Sequence, residues 1–122
     1  MESILTSIKN LLLITEDYEH FDAQVITHIN TVFTTLCQLG VGPKKCFSIV
    51  DKHDTWDQFL PMDDERFNSV KTYMYMKVKL MFDPPLSSAV MSSMERQLSE
   101  LEFRLMTDAD ARAAELEVEA DV

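Results

Sequence analysis

Glycine and proline are scarce in this 122-residue sequence, with 2 Gly and 4 Pro, and that scarcity removes the frequent turns a β-sandwich or barrel requires. It also removes any glycine-rich loop able to cradle phosphate, because Gly40 and Gly42 stand where they end a helix and open none. Two cysteines, Cys37 and Cys46, are too few for a secreted disulfide framework. The longest early apolar run, Leu11 to Ile14, falls far short of the roughly 20 residues that span a bilayer. No basic lead followed by an apolar stretch and a small-residue cleavage site marks a signal peptide, so the expectation is a protein that is cytosolic when made and has no membrane partner. Positive charge is scarce too: 11 Lys and Arg stand against 21 Asp and Glu, for a net charge of −10. Gripping duplex DNA takes several cations that displace phosphate counterions, which an acidic surface does not supply.

What is present suits one helical domain. Apolar residues make up 46% of the chain and charged residues 26%, ordinary values for a folded protein, and 8 Met with many Leu favour helix. A chain this long buries roughly two-thirds of its unfolded surface in one modest core. The excess charge is uneven, since six acids against Arg112 alone lie between residues 107 and 122. The expected organisation is a helical domain over residues 1–106 and an acidic tail over 107–122 that moves freely before assembly.

Apolar spacing places the helices. Ile4, Leu5, Ile8, Leu11 and Leu12 share one face of a first helix over about residues 2–13. Val25, Ile26, Ile29, Val32, Phe33, Leu36 and Leu39 form the stripe of a second, which Gly40 stops and Gly42-Pro43 keeps from resuming. A long connection over residues 41–61 holds the alternating segment Cys46 to Val50, which suits a short strand or ribbon arm, and a helical turn capped by Asp54 and closed by Pro61.

The third main helix is expected from Asp63 to Phe82, with Asp63, Asp64 and Glu65 at the positive end of its dipole. It carries two apolar surfaces, one through Phe67, Val70, Met74, Val78, Met81 and Phe82, the other through Tyr73, Met76 and Leu80. Such a helix is either central and packed on both sides by its own bundle, or carries a subunit interface. Asp83-Pro84-Pro85 ends it. Near Ser87 a fourth helix begins, whose Met91, Met94, Leu98, Leu101 and Leu105 recur at three- and four-residue spacings. This seam is too short for a free-standing coiled coil and is expected to pack on the chain's own bundle. The fold class is therefore all-α: four main helices, with a long loop and a short extra helical turn between the second and third.

Catalytic chemistry finds little footing. His20, His28 and His53 are the only histidines, and none stands in a nucleophile motif. Cys37, Cys46 and His53 match no zinc spacing, and Cys37 reads as a small buried hydrophobe near the end of an apolar helix. Asp63, Asp64 and Glu65 read as ordinary helix-start acids, so no cofactor or metal is expected.

Several fragments taken in order resemble the head-to-tail connector, adaptor or head-completion proteins of long-tailed bacteriophages. They are Ile4-Leu5-Thr6-Ser7-Ile8-Lys9, Phe21-Asp22 through His28-Ile29-Asn30, Leu39-Gly40-Val41-Gly42-Pro43, Phe47-Ser48-Ile49 with Thr55-Trp56, and Val70-Lys71-Thr72-Tyr73 through Lys79-Leu80-Met81-Phe82-Asp83-Pro84-Pro85. The likeness covers about residues 2–106. It implies a structural protein without enzymatic activity, assembled in the host bacterial cytoplasm and carried in the virion neck. There it forms a homo-oligomeric ring, roughly twelve-fold, whose neighbours meet through two different patches. Its expected partners are the portal protein and the next neck or tail-completion protein, and DNA passes through without tight binding. Within that frame Leu101, Phe103, Leu105 and Met106 are expected to dock on the portal, and Tyr73, Met76 and Leu80 to meet the next subunit. Lys44, Lys45, Phe47 and Trp56 are expected to face the channel or the distal neck protein. The reading from another class is an acidic regulator or DNA mimic that covers a basic protein surface.

Overall fold

The computed structural model describes residues 2–120 and contains five helices there: α1 (Ile4–Leu11), α2 (Asp22–Gln38), α3 (Trp56–Phe59), α4 (Phe67–Phe82) and α5 (Ser88–Ala120). The all-α reading holds, and no strand occurs among the described residues. Helix α4 lies at the centre, packed by α1, α2 and α5. Val70, Tyr73, Met74, Met76 and Val78 are all buried, so the chain itself covers both apolar surfaces of α4 except at Met81, near its end. The seam of α5 packs as expected: Leu98 and Leu105 are buried, while Met94 and Leu101 lie half-buried against the same core.

Local chemistry sets the helix ends. The Ser3 hydroxyl caps α1 by accepting from the Thr6 N–H at 3.2 Å. At its other end Ile14 N–H reaches the Lys9 carbonyl and Leu13 N–H the Asn10 carbonyl, a paired closure that puts Leu13 at φ 65°, unusual for a side-chain-bearing residue. Gly40 makes the same closure on α2 at φ 86°, with Val41 N–H on the Leu36 carbonyl and Gly40 N–H on that of Cys37. Ser87 opens α5, its hydroxyl accepting from the Val90 N–H at 3.3 Å.

The segment Cys46 to Val50 is extended, with Phe47 half-buried and Ile49 buried, yet it joins no sheet. The Asn30 side chain replaces the missing strand: its amide nitrogen donates to the Ile49 carbonyl at 3.0 Å and its oxygen accepts from the Ile49 N–H at 2.8 Å. The alternation was real, but a helix side chain satisfies the backbone pair a ladder would have used. The turn at α3 follows Thr55 rather than Asp54, whose carboxylate instead accepts from the Val50 and Asp51 N–H groups.

Helix α4 starts at Phe67, four residues later than Asp63. Asp64 accounts for the delay, because its carboxylate takes the Arg66 N–H at 2.8 Å and the guanidinium at 3.0 and 3.1 Å, a local turn that competes with helix. The three acids therefore lie on the turn before the helix and not in its first turn.

One further expectation is corrected. Cys37 and Cys46 form a disulfide, with Cα atoms 5.4 Å apart, so Cys37 is no free buried thiol and neither sulfur is a free ligand beside His53. Helix α5 continues past residue 106, where the helical domain was expected to give way to the acidic tail, and runs to Ala120.

Candidate functional site

A protein that works by binding is described by what its fold leaves outside. Helix α5, at 33 residues, is about 50 Å long, twice the length of the 16-residue α4 against which it lies. The two run antiparallel, since Tyr73 meets Glu102 and Arg66 meets Asp108. The Tyr73 hydroxyl donates to Glu102 at 2.6 Å, and burial with this carboxylate partner pushes its pKa upward, so Tyr73 stays protonated. Lys77 pairs with the same carboxylate at 3.3 Å.

Where α5 passes the end of α2, Ala109 takes the place of a larger residue. A Cβ on Gly40 would stand 3.1 Å from that of Ala109, so two small residues let the helix cross at close range. Gly42 is as confined, since a Cβ there would overlap the Phe59 ring. A ladder of ion pairs then holds α5 to the turn before α4. Arg66 pairs with Asp64 at 3.0 Å and approaches Asp108 at 3.8 Å, and Arg112 pairs with Asp108 at 2.6 Å and with Glu65 at 3.0 Å. Hydrogen bonding to Arg66 holds the Asp64 carboxyl below the usual carboxylate range, and bonding to Asp108 raises the pKa of Arg112. Every side chain from Ala113 to Val118 is exposed, so the packed part of α5 ends at Arg112 and the rest projects.

The residues expected to bind partners separate into exposed and buried sets. On α5, Leu105 is buried and Leu101 half-buried, while Phe103 and Met106 are 66% and 42% exposed on the outward face. Tyr73 and Met76 are buried within the bundle and Leu80 is half-buried, which leaves this stripe packed inside the chain rather than open to a neighbour. In the 41–61 connection Lys44 and Lys45 are exposed. Phe47 instead packs edge-on to Phe33, and Trp56 is 1% exposed, its indole N–H donating to the Ser7 hydroxyl at 2.8 Å. Phe47 and Trp56 are therefore core residues, and their aromatic character reflects burial.

Lys44, Lys45 and the projecting end of α5 share one end of the molecule, because the loop leaves α2 at the Gly40–Ala109 crossing. The opposite end is apolar: Phe21 stacks edge-on to Phe82 at 5.3 Å, and Tyr18, Met81, Leu86 and Val90 are exposed in the loops and helix ends around it. Sequence reasoning missed the ion-pair ladder, whose rungs between α5 and the turn before α4 join residues far apart in the chain, Arg66 to Asp108 and Glu65 to Arg112. Among the described residues no group of His, Cys, Asp and Glu is arranged to hold a metal ion, and no helix is long and apolar enough to cross a membrane.

The model of a family described as phage connector protein matches residues 4–112, which takes in the packed bundle and α5 as far as its last anchored residue. The chain belongs to this family. No curated protein and no solved structure matches it. As a phage connector protein it has a structural role among the head and tail proteins of a phage. The projecting end of α5 lies outside the family match, at the point where packing also stops.

Proposed function

We propose that this phage connector protein forms a closed ring beneath the portal, extends the DNA channel, and offers a platform to the next neck or tail-completion protein. Assembly takes place in the host cytoplasm and the finished ring resides in the virion neck. The net charge of −10 supports passage of DNA without retention, since phosphate repulsion opposes adhesion.

The observation that carries the reading is the outward face of α5. Phe103 and Met106 stand exposed one turn apart on a helix whose other side is locked to the bundle by Leu98, Leu105 and Ala109. An apolar pair displayed on a rigid helix meets a partner at little entropic cost, as in helix-in-groove docking. The portal is the partner assigned to this face. Removing everything after Met106 would also remove the Ala109 crossing and the Arg112 pairs, so point variants test the surface more cleanly.

The Phe103→Ser/Met106→Ser double variant is expected to keep wild-type helical circular dichroism while its capture by immobilised portal rings falls at least tenfold, on the scale of losing an apolar anchor. Capture at wild-type strength would overturn the assignment.

A further inference from the structure

Most basic side chains are already paired inside the chain. Of the 11 Lys and Arg, only Lys44, Lys45, Lys52 and Arg96 form no ion pair among the described residues. Three of these four lie within one nine-residue stretch, and all three are exposed. The stretch is braced at Cys46 by the disulfide to α2 and at Ile49 by Asn30, so its lysines are displayed on a tethered segment. At the end of the molecule where Lys44 and Lys45 lie, the projecting part of α5 carries Glu115 and Glu117, which are also exposed and form no ion pair among the described residues, beside Leu116 and Val118, each 66% exposed.

We infer that the Lys44, Lys45 and Lys52 loop of one subunit receives the projecting acidic end of α5 from a second copy of this chain. The inference rests on the ring reading and names its subunit contact. A ring closes by heterologous contact, in which one patch meets a different patch of the neighbour at the same height along the axis. Patches of opposite charge at the same end of the bundle meet that condition. Exposed Leu116 and Val118 supply apolar area beside the charges, which set register and partner choice. This contact replaces the Tyr73, Met76 and Leu80 stripe, which is packed within the same chain.

The test is zero-length carbodiimide coupling of lysine to carboxylate in an equimolar mixture of natural and 15N-labelled full-length chains, concentrated at low salt and read by mass spectrometry. Mixed-isotope links between Lys44, Lys45 or Lys52 and Glu115 or Glu117 are expected. They should fall at least fivefold in Lys44→Glu/Lys45→Glu and in Glu115→Lys/Glu117→Lys alone, and return when these two variants are mixed. A chain ending at Arg112, which keeps the ladder, should lose inter-chain links altogether. Links confined to same-isotope pairs would show the loop holding its own helix end and overturn the inference. Mixed-isotope links at other residues only would overturn this contact and leave the ring standing, whereas none at any residue would overturn both. Undiminished mixed links in Lys44→Glu/Lys45→Glu together with lost retention of duplex DNA would assign the loop to DNA and overturn the inference as well.

Discussion

The two ends of this bundle are closed by opposite chemistry. At one end α2 begins, α4 finishes and α5 starts, and the contacts are aromatic and apolar, from Phe21 on Phe82 to the exposed Met81, Leu86 and Val90. At the other end the Asp64, Arg66, Asp108 and Arg112 ladder, the disulfide and the lysine loop crowd around the crossing of Gly40 and Ala109. The charged end is where sequence-distant segments must be held in register, and directional pairs fix register better than apolar contacts that slide. The apolar end still depends on one charge. Lys9 is 3% exposed there, and its ammonium donates to the Glu16 and Tyr18 carbonyls at 3.0 and 2.8 Å and pairs with Asp22 at 2.8 Å. Two of its donors hold loop carbonyls and its charge faces Asp22, so one side chain pins the loop between α1 and α2.

That contrast is open to direct attack. The largest effect is expected from Lys9→Met, which keeps the apolar stem but leaves Asp22 and two carbonyls without their partner, at a cost of about 3 kcal/mol. Urea denaturation gives the loss, and amide exchange should show residues 13–21 opening first. An unchanged midpoint would mean that the apolar end closes by packing alone.

At the charged end, reducing the Cys37–Cys46 disulfide frees a loop of sequence separation 9 and is expected to cost about 2–3 kcal/mol. Thermal melts with and without reductant should differ by about 8 °C or more, and Cys37→Ser/Cys46→Ser should melt like the reduced protein. Increased exchange confined to residues 41–50 would sharpen the picture of a braced lysine loop. Equal melting temperatures would show that Asn30 and the Phe33 cluster hold the segment unaided.

The smallest effect concerns acid. Asp64 has a carboxyl held below its unfolded range, so its contribution is present above the unfolded value of about 3.9 and is lost as pH falls through the folded one. Melting temperature should therefore decline below about pH 4 by an amount equivalent to about 0.5 kcal/mol, with the Arg112 region of α5 the first to loosen. Asp64→Asn should flatten that part of the profile. An equally steep decline in the variant would place the acid sensitivity in other carboxylates.

Much of the fold was legible from spacing alone. The stripe from Val25 to Leu36 and the α5 seam needed only a helical period to be recognised, and Gly40 marked the stop of α2 and Pro84-Pro85 that of α4 without reference to tertiary contacts. The candidate surfaces were much less legible. Phe47 and Trp56 looked like loop residues available to a partner, yet Ser7 and Phe33, distant in sequence, draw them into the core. Residues 107–120 looked solvent-bound by composition, and what holds their first part is Arg66 and Glu65 on a distant turn.

The amino-acid sequence by itself determined that this protein is helical and acidic, with an apolar stripe on each main helix, because helix formation and charge are properties of neighbouring residues. It also carried the order of motifs that resembles the phage connectors. Tertiary structure alone decided which apolar residues remain for partners, that Cys37 meets Cys46, and that α5 is anchored to Arg112 and projects beyond it. Exposure and pairing depend on which distant segments arrive beside a residue, and no local pattern carries that information.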